Sequence, residues 1–356
     1  MFNCADEINS YHEDEVTLSK EQRDAMRVRR NANRDRIKNG LAKMSKPNPK
    51  EFASQGSYAM KTMVQHPDNA YDVDDGVYFD AEKLVGDRRG EMSALDTRNM
   101  VRDAVDDGSF KTKPEVRQKC VRVYYDAGYH VDIPVYRRKT TKNVWTGAEE
   151  EYFEVAGAAW NRSDARDVTD WFERQNKDQS PDTENGGQLR RITRLLKNFA
   201  GSRASWHGRI AKGFTITKLV TECFKSDNAR EDAALYNTMK AIRDRLVWNL
   251  EVQHPVTPGE KLTSGYDDSK TSSLKDKLDE ALETLKILFK KDCTGADALK
   301  AWDTVFNTDY FSRQSDDAKK ARSEGAPAIL STGLLKGRAA AVVGEPVRKD
   351  GGGRYA

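Results

Sequence analysis

The sequence predicts an α+β front half followed by a back half that is almost entirely helical. Three observations lead there. Strand-like runs rich in β-branched and aromatic residues occur at 71–80, 120–125 and 130–136, with helical stretches before and between them. From about Glu149 onward the texture changes, and apolar residues recur at helical spacing: Leu189, Ile192, Leu196 and Phe199, then Leu274, Leu278, Leu282, Leu285 and Phe289. The last segment is rich in Gly, Ala and charge and has little to bury. The expected division is residues 1–158 as an α+β lobe with a mixed sheet, 159–322 as a helical lobe, and 323–356 as a mobile tail. A chain of 356 residues is long enough for two such lobes, and a cleft between them is the default place for a ligand.

Taken in order, an acidic lead-in (Glu13, Asp14, Glu15) precedes Ser19, which forms a capping-box pattern with Gln22. A proline-free helix then runs to about Lys43. Its basic residues, among them Arg23, Arg27, Arg29, Arg30, Arg34 and Arg36, far outnumber its acidic ones, and its apolar positions (Met26, Ala32, Ile37, Leu41) are sparse. Two readings stay open for it: a solvated helix face, or a surface turned toward an anion. Lys46-Pro-Asn-Pro-Lys50 ends the helix. After the strand at 71–80, a polar helix is expected from Ser93 to Asp106. The runs 120–125 and 130–136 read as a hairpin turning at Asp126-Ala-Gly128.

Trp160-Asn-Arg-Ser-Asp164 reads as a loop, with Ser163 or Asp164 capping a helix through Val168, Trp171 and Phe172. Asn185-Gly-Gly187 breaks the chain before the helix 189–199. There Arg190, Arg194 and Lys197 are displaced from the apolar stripe, which lets them reach solvent or an anion. Helices follow at 214–224 and 233–250, then a loop with His254-Pro-Val-Thr-Pro258, then helices through Leu274–Phe289 and Leu299–Phe306.

Composition narrows the function classes. Hydrophobic residues are 37% and charged residues 33%, and the net charge of +3 makes any affinity for a polyanion depend on a local patch. The four cysteines and five histidines are scattered with no zinc-like spacing, so the cysteines read as reduced and structural, as in a cytoplasmic protein. The N-terminus lacks a basic segment followed by an apolar one, and no apolar run is long enough to span a membrane.

The chemistry is concentrated between Gln55 and Asp80. Side chains alternate along a strand, so Asp72 and Asp74 share one face while Tyr71, Val73 and Asp75 share the other. Two parallel carboxylates make a poor core and a good cradle for a divalent metal. Just upstream, Gly56-Ser57 offers backbone N–H groups and a hydroxyl to a phosphate where it opens a helix. Metal and phosphate together point to chemistry on a nucleoside triphosphate. In the run 130–136, Val131, Ile133 and Val135 form the apolar face and Asp132 lies opposite; alone, it is an ordinary solvent-facing carboxylate.

Taken together, Gly56-Ser57, the Asp72-Val-Asp74 pair and Asp132 resemble the nucleotidyltransferase pattern. Gln-Gly-Ser-Tyr-Ala-Met-Lys-Thr (55–62), Asp-Val-Asp-Asp-Gly-Val-Tyr (72–78), His-Val-Asp-Ile-Pro (130–134), Trp-Asn-Arg-Ser-Asp (160–164), Asp-Trp-Phe (170–172), Leu-Arg-Arg-Ile from Leu189, and the His-Pro-Val-Thr-Pro loop narrow it. These resemble bacterial cGAS/DncV-like nucleotidyltransferases over roughly residues 15–310, within them the group making cyclic GMP-AMP, of the CdnG type.

The resemblance implies a polymerase β-like catalytic lobe carrying a long spine helix, packed on a helical lobe. It implies that Asp72, Asp74 and Asp132 are catalytic and hold two Mg2+ ions, with Mn2+ able to substitute. Gln55, Gly56 and Ser57 would contact the donor phosphates, and Arg122, Ser163, Asp164, Lys197 and Thr215 would also serve the nucleotide. Asp75 would have a supporting role. The implied reaction joins ATP and GTP into cyclic GMP-AMP, with a 3′,2′ linkage among the alternatives left open. The product would activate a downstream effector in an antiphage system of the CBASS type. Conjugation of the tail by a ubiquitin-transfer-like enzyme is a further expectation, and the lack of a Cys/His cluster argues against activation by DNA. Two alternatives share the fold: a nucleotidyltransferase acting on an RNA end or a small molecule, and a nucleic-acid binder using the basic helix.

Overall fold

The computed structural model describes residues 1–65, 71–86, 89–125, 129–143 and 145–314. The expected turn at 126–128 and the tail from 323 onward, with its expected conjugation, lie outside the described residues. Two compact units emerge. One comprises Met1–Thr17, Thr62–Gln65 and the described residues from Trp171 on; the other comprises residues 18–61 and the described part of 66–170. This differs from a single boundary at 158/159: the chain changes unit at 170/171, and its first 17 residues group with the helices.

The helices are α1 (Ala5–Tyr11), α2 (Lys20–Lys43), α3 (Gly56–Ala59), α4 (Ala94–Val105), α5 (Ala165–Gln179), α6 (Gln188–Gly201), α7 (Gly213–Cys223), α8 (Glu231–Trp248), α9 (Ser269–Leu285) and α10 (Gly295–Phe306). None of the described helices is long and apolar enough to cross a membrane. The strands are β1 (Glu51–Gln55), β2 (Asp72–Asp80), β3 (Glu115–Val116), β4 (Val121–Tyr124), β5 (His130–Ile133), β6 (Val135–Lys142), β7 (Glu149–Ala156) and β8 (Trp160–Arg162). They form one mixed sheet.

In the sheet-bearing unit, β2 is the hub. It pairs antiparallel with β1, and parallel with β5 at Asp72–Asp74 and with β6 at Val77–Asp80. The expected single strand at 130–136 is thus two, because Pro134 has no N–H to give the ladder; its carbonyl accepts from Val77 N at 2.9 Å. β4 pairs antiparallel with β5, giving the expected hairpin, and β7 and β8 extend the sheet beyond β6. Trp160–Arg162 is therefore an edge strand rather than a loop.

Val73, Val77, Phe79, Val121, Val123, Val131 and Ile133 are buried on one side of this sheet. Each contributes about 1.5–3 kcal/mol by leaving water. Helices α2 and α4 pack here, and at Gly40 their backbones nearly touch: a Cβ would fall 2.0 Å from the Ala104 carbonyl oxygen. The capping box at Ser19 and Gln22 forms as the sequence requires.

The basic helix α2 is neither simply solvated nor wholly a surface turned toward an anion. Arg34 clamps Asp75 with both ends of its guanidinium (2.7 and 2.6 Å), Arg36 bonds Asp107, and Arg30 reaches Ser54. Arg29 is buried with its guanidinium 4.2 Å from the Tyr129 ring. These four charges are engaged inside the unit, whereas Lys20, Arg23, Arg27, Lys38 and Lys43 stay exposed.

In the helical unit, α6 is buried on nearly every side. Arg190 and Arg194 do not reach solvent, contrary to the stripe reading. Arg190 donates to Gly186 O and Glu173, and Arg191 is held by Asp182 and Glu231. Arg194 lies 3.4 Å from the Nε2 of His12. The acidic lead-in is ordered: α1 runs into a π-helical turn, His12–Val16. Tyr11 packs among Phe306, Tyr310 and Phe311, with ring centroids 4.8–5.2 Å apart, which anchors the N-terminus.

Candidate active site

Sheet register assembles the site. Gln55 lies opposite Asp74, Asp74 beside Asp132, and Asp132 opposite Arg122, so one rung crosses β1, β2, β5 and β4. Asp72, His130 and Tyr124 form the next rung on the same face. Directly paired residues share a face, which is why three carboxylates, unremarkable one by one in sequence, converge. Asp75 points to the other face and is buried against Arg34 and Ser54.

The electrostatics are uneven. The Asp74 carboxyl is pushed up to about 7 by burial first, then by the Asp132 and Asp72 charges, with Arg122 partly offsetting them. Asp72 is exposed, and its Oδ1 lies 3.2 Å from His130 Nδ1. Asp132 is gripped by Arg122 through two hydrogen bonds of 2.7 Å each, and the same guanidinium comes within 3.9 Å of Asp72.

Three carboxylates with too little positive charge among them, and hard oxygen donors only, fit a divalent cation. As the side chains stand, however, no group of three His, Cys, Asp or Glu among the described residues forms a ready-made cation cage. The Asp132 oxygens are turned to Arg122.

The glycine turn sits against this cluster. Gly56 has φ +61°, and a Cβ built there would lie 2.2 Å from Asp74 Oδ2. Only glycine fits, both for conformation and for space. The helix it opens is a single turn, so phosphate binding here would rest on the N–H groups and the Ser57 hydroxyl rather than on a long helix dipole.

Gln55 is placed differently from the expectation. Its side chain is buried, with Nε2 donating to the Tyr78 hydroxyl (2.9 Å) and Oε1 accepting from the Tyr136 hydroxyl (3.1 Å). It supports the turn from behind. Asp164 is also committed: it accepts from the Tyr78 hydroxyl (3.1 Å), from the Arg166 guanidinium and from the Arg166 backbone N–H. Ser163, half-buried at the end of β8, has its backbone N–H on Phe153 O.

Lys197 and Thr215 belong to the helical unit. Lys197 Nζ donates to Thr62 O (3.1 Å) and Thr62 Oγ1 (2.9 Å), its stem lies beside Gly213, and burial and Arg194 pull its ammonium down to about 7. Thr215 is buried on α7.

Sequence reasoning passed over Tyr78, Tyr136 and Arg166, which tie Gln55 to Asp164. The tyrosine rings stack 4.5 Å apart, 8° from parallel, and Arg166 lies over Tyr78 at 4.5 Å. Strand alternation would have found the two tyrosines, which share parity with Asp74 and Asp132. For Arg166 no local signal exists.

Comparison with known proteins follows the same lines. Residues 50–136 match the model for the nucleotidyltransferase domain of the DncV-like cyclic GMP-AMP synthases. Among solved structures, the chain is similar to Vibrio cholerae DncV, described as a cyclic AMP-GMP synthase and prokaryotic cGAS homolog: TM-score 0.66, 15% identity, covering 87% of this chain and 97% of that one. The same protein with the linear intermediate pppA(3′,5′)pG gives 0.64 at 16% identity, covering 86% and 96%. Escherichia coli DncV bound to 3′-deoxy GTP gives 0.62 at 16% identity, covering 84% and 96%. At these identities the likeness in structure establishes the fold.

Proposed function

We propose that this chain is a bacterial DncV-like nucleotidyltransferase that joins ATP and GTP in two successive nucleotidyl transfers, closing cyclic GMP-AMP and releasing pyrophosphate each time. The observation that carries this reading is the rung of Asp74, Asp132 and Arg122 under the Gly56 turn, with Asp72 on the next rung. Two divalent cations, Mg2+ with Mn2+ able to replace it, held by Asp72 and Asp74 with Asp132 completing one site, would make the attacking sugar hydroxyl more acidic and stabilise the departing pyrophosphate.

The chain's own residues do the positioning. Gly56 and Ser57 offer N–H groups and a hydroxyl to the donor phosphates, and Gln55, clamped by Tyr78 and Tyr136, fixes where that turn begins. Arg122 and Ser163 serve the nucleotide, while Asp164 holds the Ser163 loop through Tyr78 and Arg166. Lys197 and Thr215 enter as nucleotide-binding residues through the resemblance alone.

In this reading the enzyme works in the cytoplasm of an antiphage system, is of the CdnG type, and signals to a downstream effector protein through its product. A ubiquitin-transfer-like enzyme conjugates its tail. The test is to incubate the protein with all four nucleoside triphosphates and a divalent cation, then apply mass spectrometry and linkage-selective nuclease digestion. A cyclic dinucleotide of one A and one G, formed with no added acceptor, supports the reading. Transfer only when an RNA or small-molecule acceptor is supplied overturns it.

A further inference from the structure

We propose that Arg122 is the resident counter-cation of the carboxylate cluster, and that it and a divalent ion compete for Asp132. This rests on the metal-dependent reading above. The geometry is specific. Arg122 and Asp132 face each other across the β4–β5 ladder, and the guanidinium binds both carboxylate oxygens at 2.7 Å. That fork-on-fork contact occupies the in-plane lone pairs a metal ion would also need. The remaining reach of the guanidinium, 3.9 Å to Asp72 Oδ1, lies toward the second expected ligand.

Charge explains why a resident is required. Asp74 and Asp132 are adjacent on one rung and Asp72 is on the next, in a partly buried site where like charges are costly. Without a divalent ion, Arg122 is the permanent cation beside them, with His130 next to Asp72 as the other nitrogen partner. Once the ion takes Asp132, the guanidinium is released and becomes available to a phosphate. An ordinary cross-strand ion pair makes no such exchange.

Competition is reciprocal, so weakening Arg122 strengthens the cation. In nucleotide-free protein titrated with Mn2+ and read by the EPR signal of the free ion, R122Q should bind Mn2+ tighter than wild type, by about 5–150-fold, the usual range for coupled sites. R122K keeps a charge but loses the fork and should show a smaller gain. In a D132N background the R122Q gain should vanish, because the contested carboxylate is gone. Unchanged or weaker binding in both R122Q and R122K overturns the proposal. So does a gain that persists with D132N, which would mark general repulsion rather than competition for Asp132. If R122Q melts too low to titrate, R122K with and without D132N carries the same comparison. The titration uses no nucleotide, so its failure is separate from failure of the product assay.

Discussion

Replacing Gly56 with alanine puts a carbon where Asp74 already is. The added Cβ would lie 2.2 Å from Asp74 Oδ2, short of an ordinary van der Waals separation by more than about 1 Å. The carboxylate must therefore swing away or the turn must move. At φ +61° a non-glycine residue also costs about 1–2 kcal/mol of backbone energy. Gly108 separates the two effects: it has φ +82° and nothing within 4 Å of its built Cβ, so Gly108→Ala carries the backbone cost alone. Gly108→Ala should lose about 1–2 kcal/mol of stability by thermal melting, and Gly56→Ala, which adds the clash, more than that. Only Gly56→Ala should also lose turnover, by on the order of 100-fold, the scale for displacing a reacting group by about 1 Å. Cyclic product measured by chromatography at saturating nucleotide is the assay. Near-normal turnover in Gly56→Ala, or equal losses in both variants, would refute the claim that this glycine exists to clear Asp74.

Other outcomes follow from single contacts. Asp72→Asn should abolish product while changing stability by no more than about 0.5 kcal/mol, since Asp72 is exposed; retained turnover would remove it from the metal site. Asp74→Asn should abolish product as well, with an unchanged far-ultraviolet circular dichroism spectrum as the check on folding. Tyr136→Phe keeps the stacked ring but strips Gln55 Oε1 of its hydrogen bond, and should cost about 1–3 kcal/mol in urea denaturation. An unchanged midpoint would show that water or a shift of Gln55 fills the gap. His12 is buried, its Nδ1 has no partner among the described residues, and burial followed by the Arg194 and Arg191 charges pushes its imidazolium down to about 3. The unfolded chain takes up that proton first, so the stability tied to neutral His12 is complete above about pH 6.5 and drains away as pH falls toward 3. His12→Gln should flatten that part of the profile, and an unaltered slope would assign the acid sensitivity elsewhere.

Some of this site could be read directly from the chain because period-two alternation is a local property. It puts Asp72 with Asp74 and sets Asp132 opposite Val131 and Ile133, whatever the partners. The strand β1 was not legible: Glu-Phe-Ala-Ser-Gln carries a single large apolar residue, and it is a strand because β2 offers it an edge. β7 was hidden by its charges, Glu149 to Glu151, which lie opposite Lys142, Thr141 and Thr140 on β6, with Glu151 paired to Arg138. The arginines of α6 misled for a related reason. An arginine off an apolar stripe reads as solvated, and only distant Glu173, Asp182 and Glu231 make its burial tolerable. Gln55 and Asp164 come to the nucleotide through the family resemblance, which says nothing of the partners they have within the fold. Their actual partners, Tyr78, Tyr136 and Arg166, are brought to them by the sheet and by the first turn of α5.

The four-residue stretch Thr62–Gln65 decides how such a molecule can be dismantled. It groups with the helices, Thr62 gripping Lys197 and Gln65 reaching Asp14 and Thr17, yet along the chain it lies between the glycine turn and β2. With Met1–Thr17 added, the helical unit is stitched from three separate lengths of polypeptide. No single scission releases either unit whole. A fragment ending or starting near residue 170 would leave one piece short of its own threads, so neither half can be swapped between relatives or produced alone as a clean module.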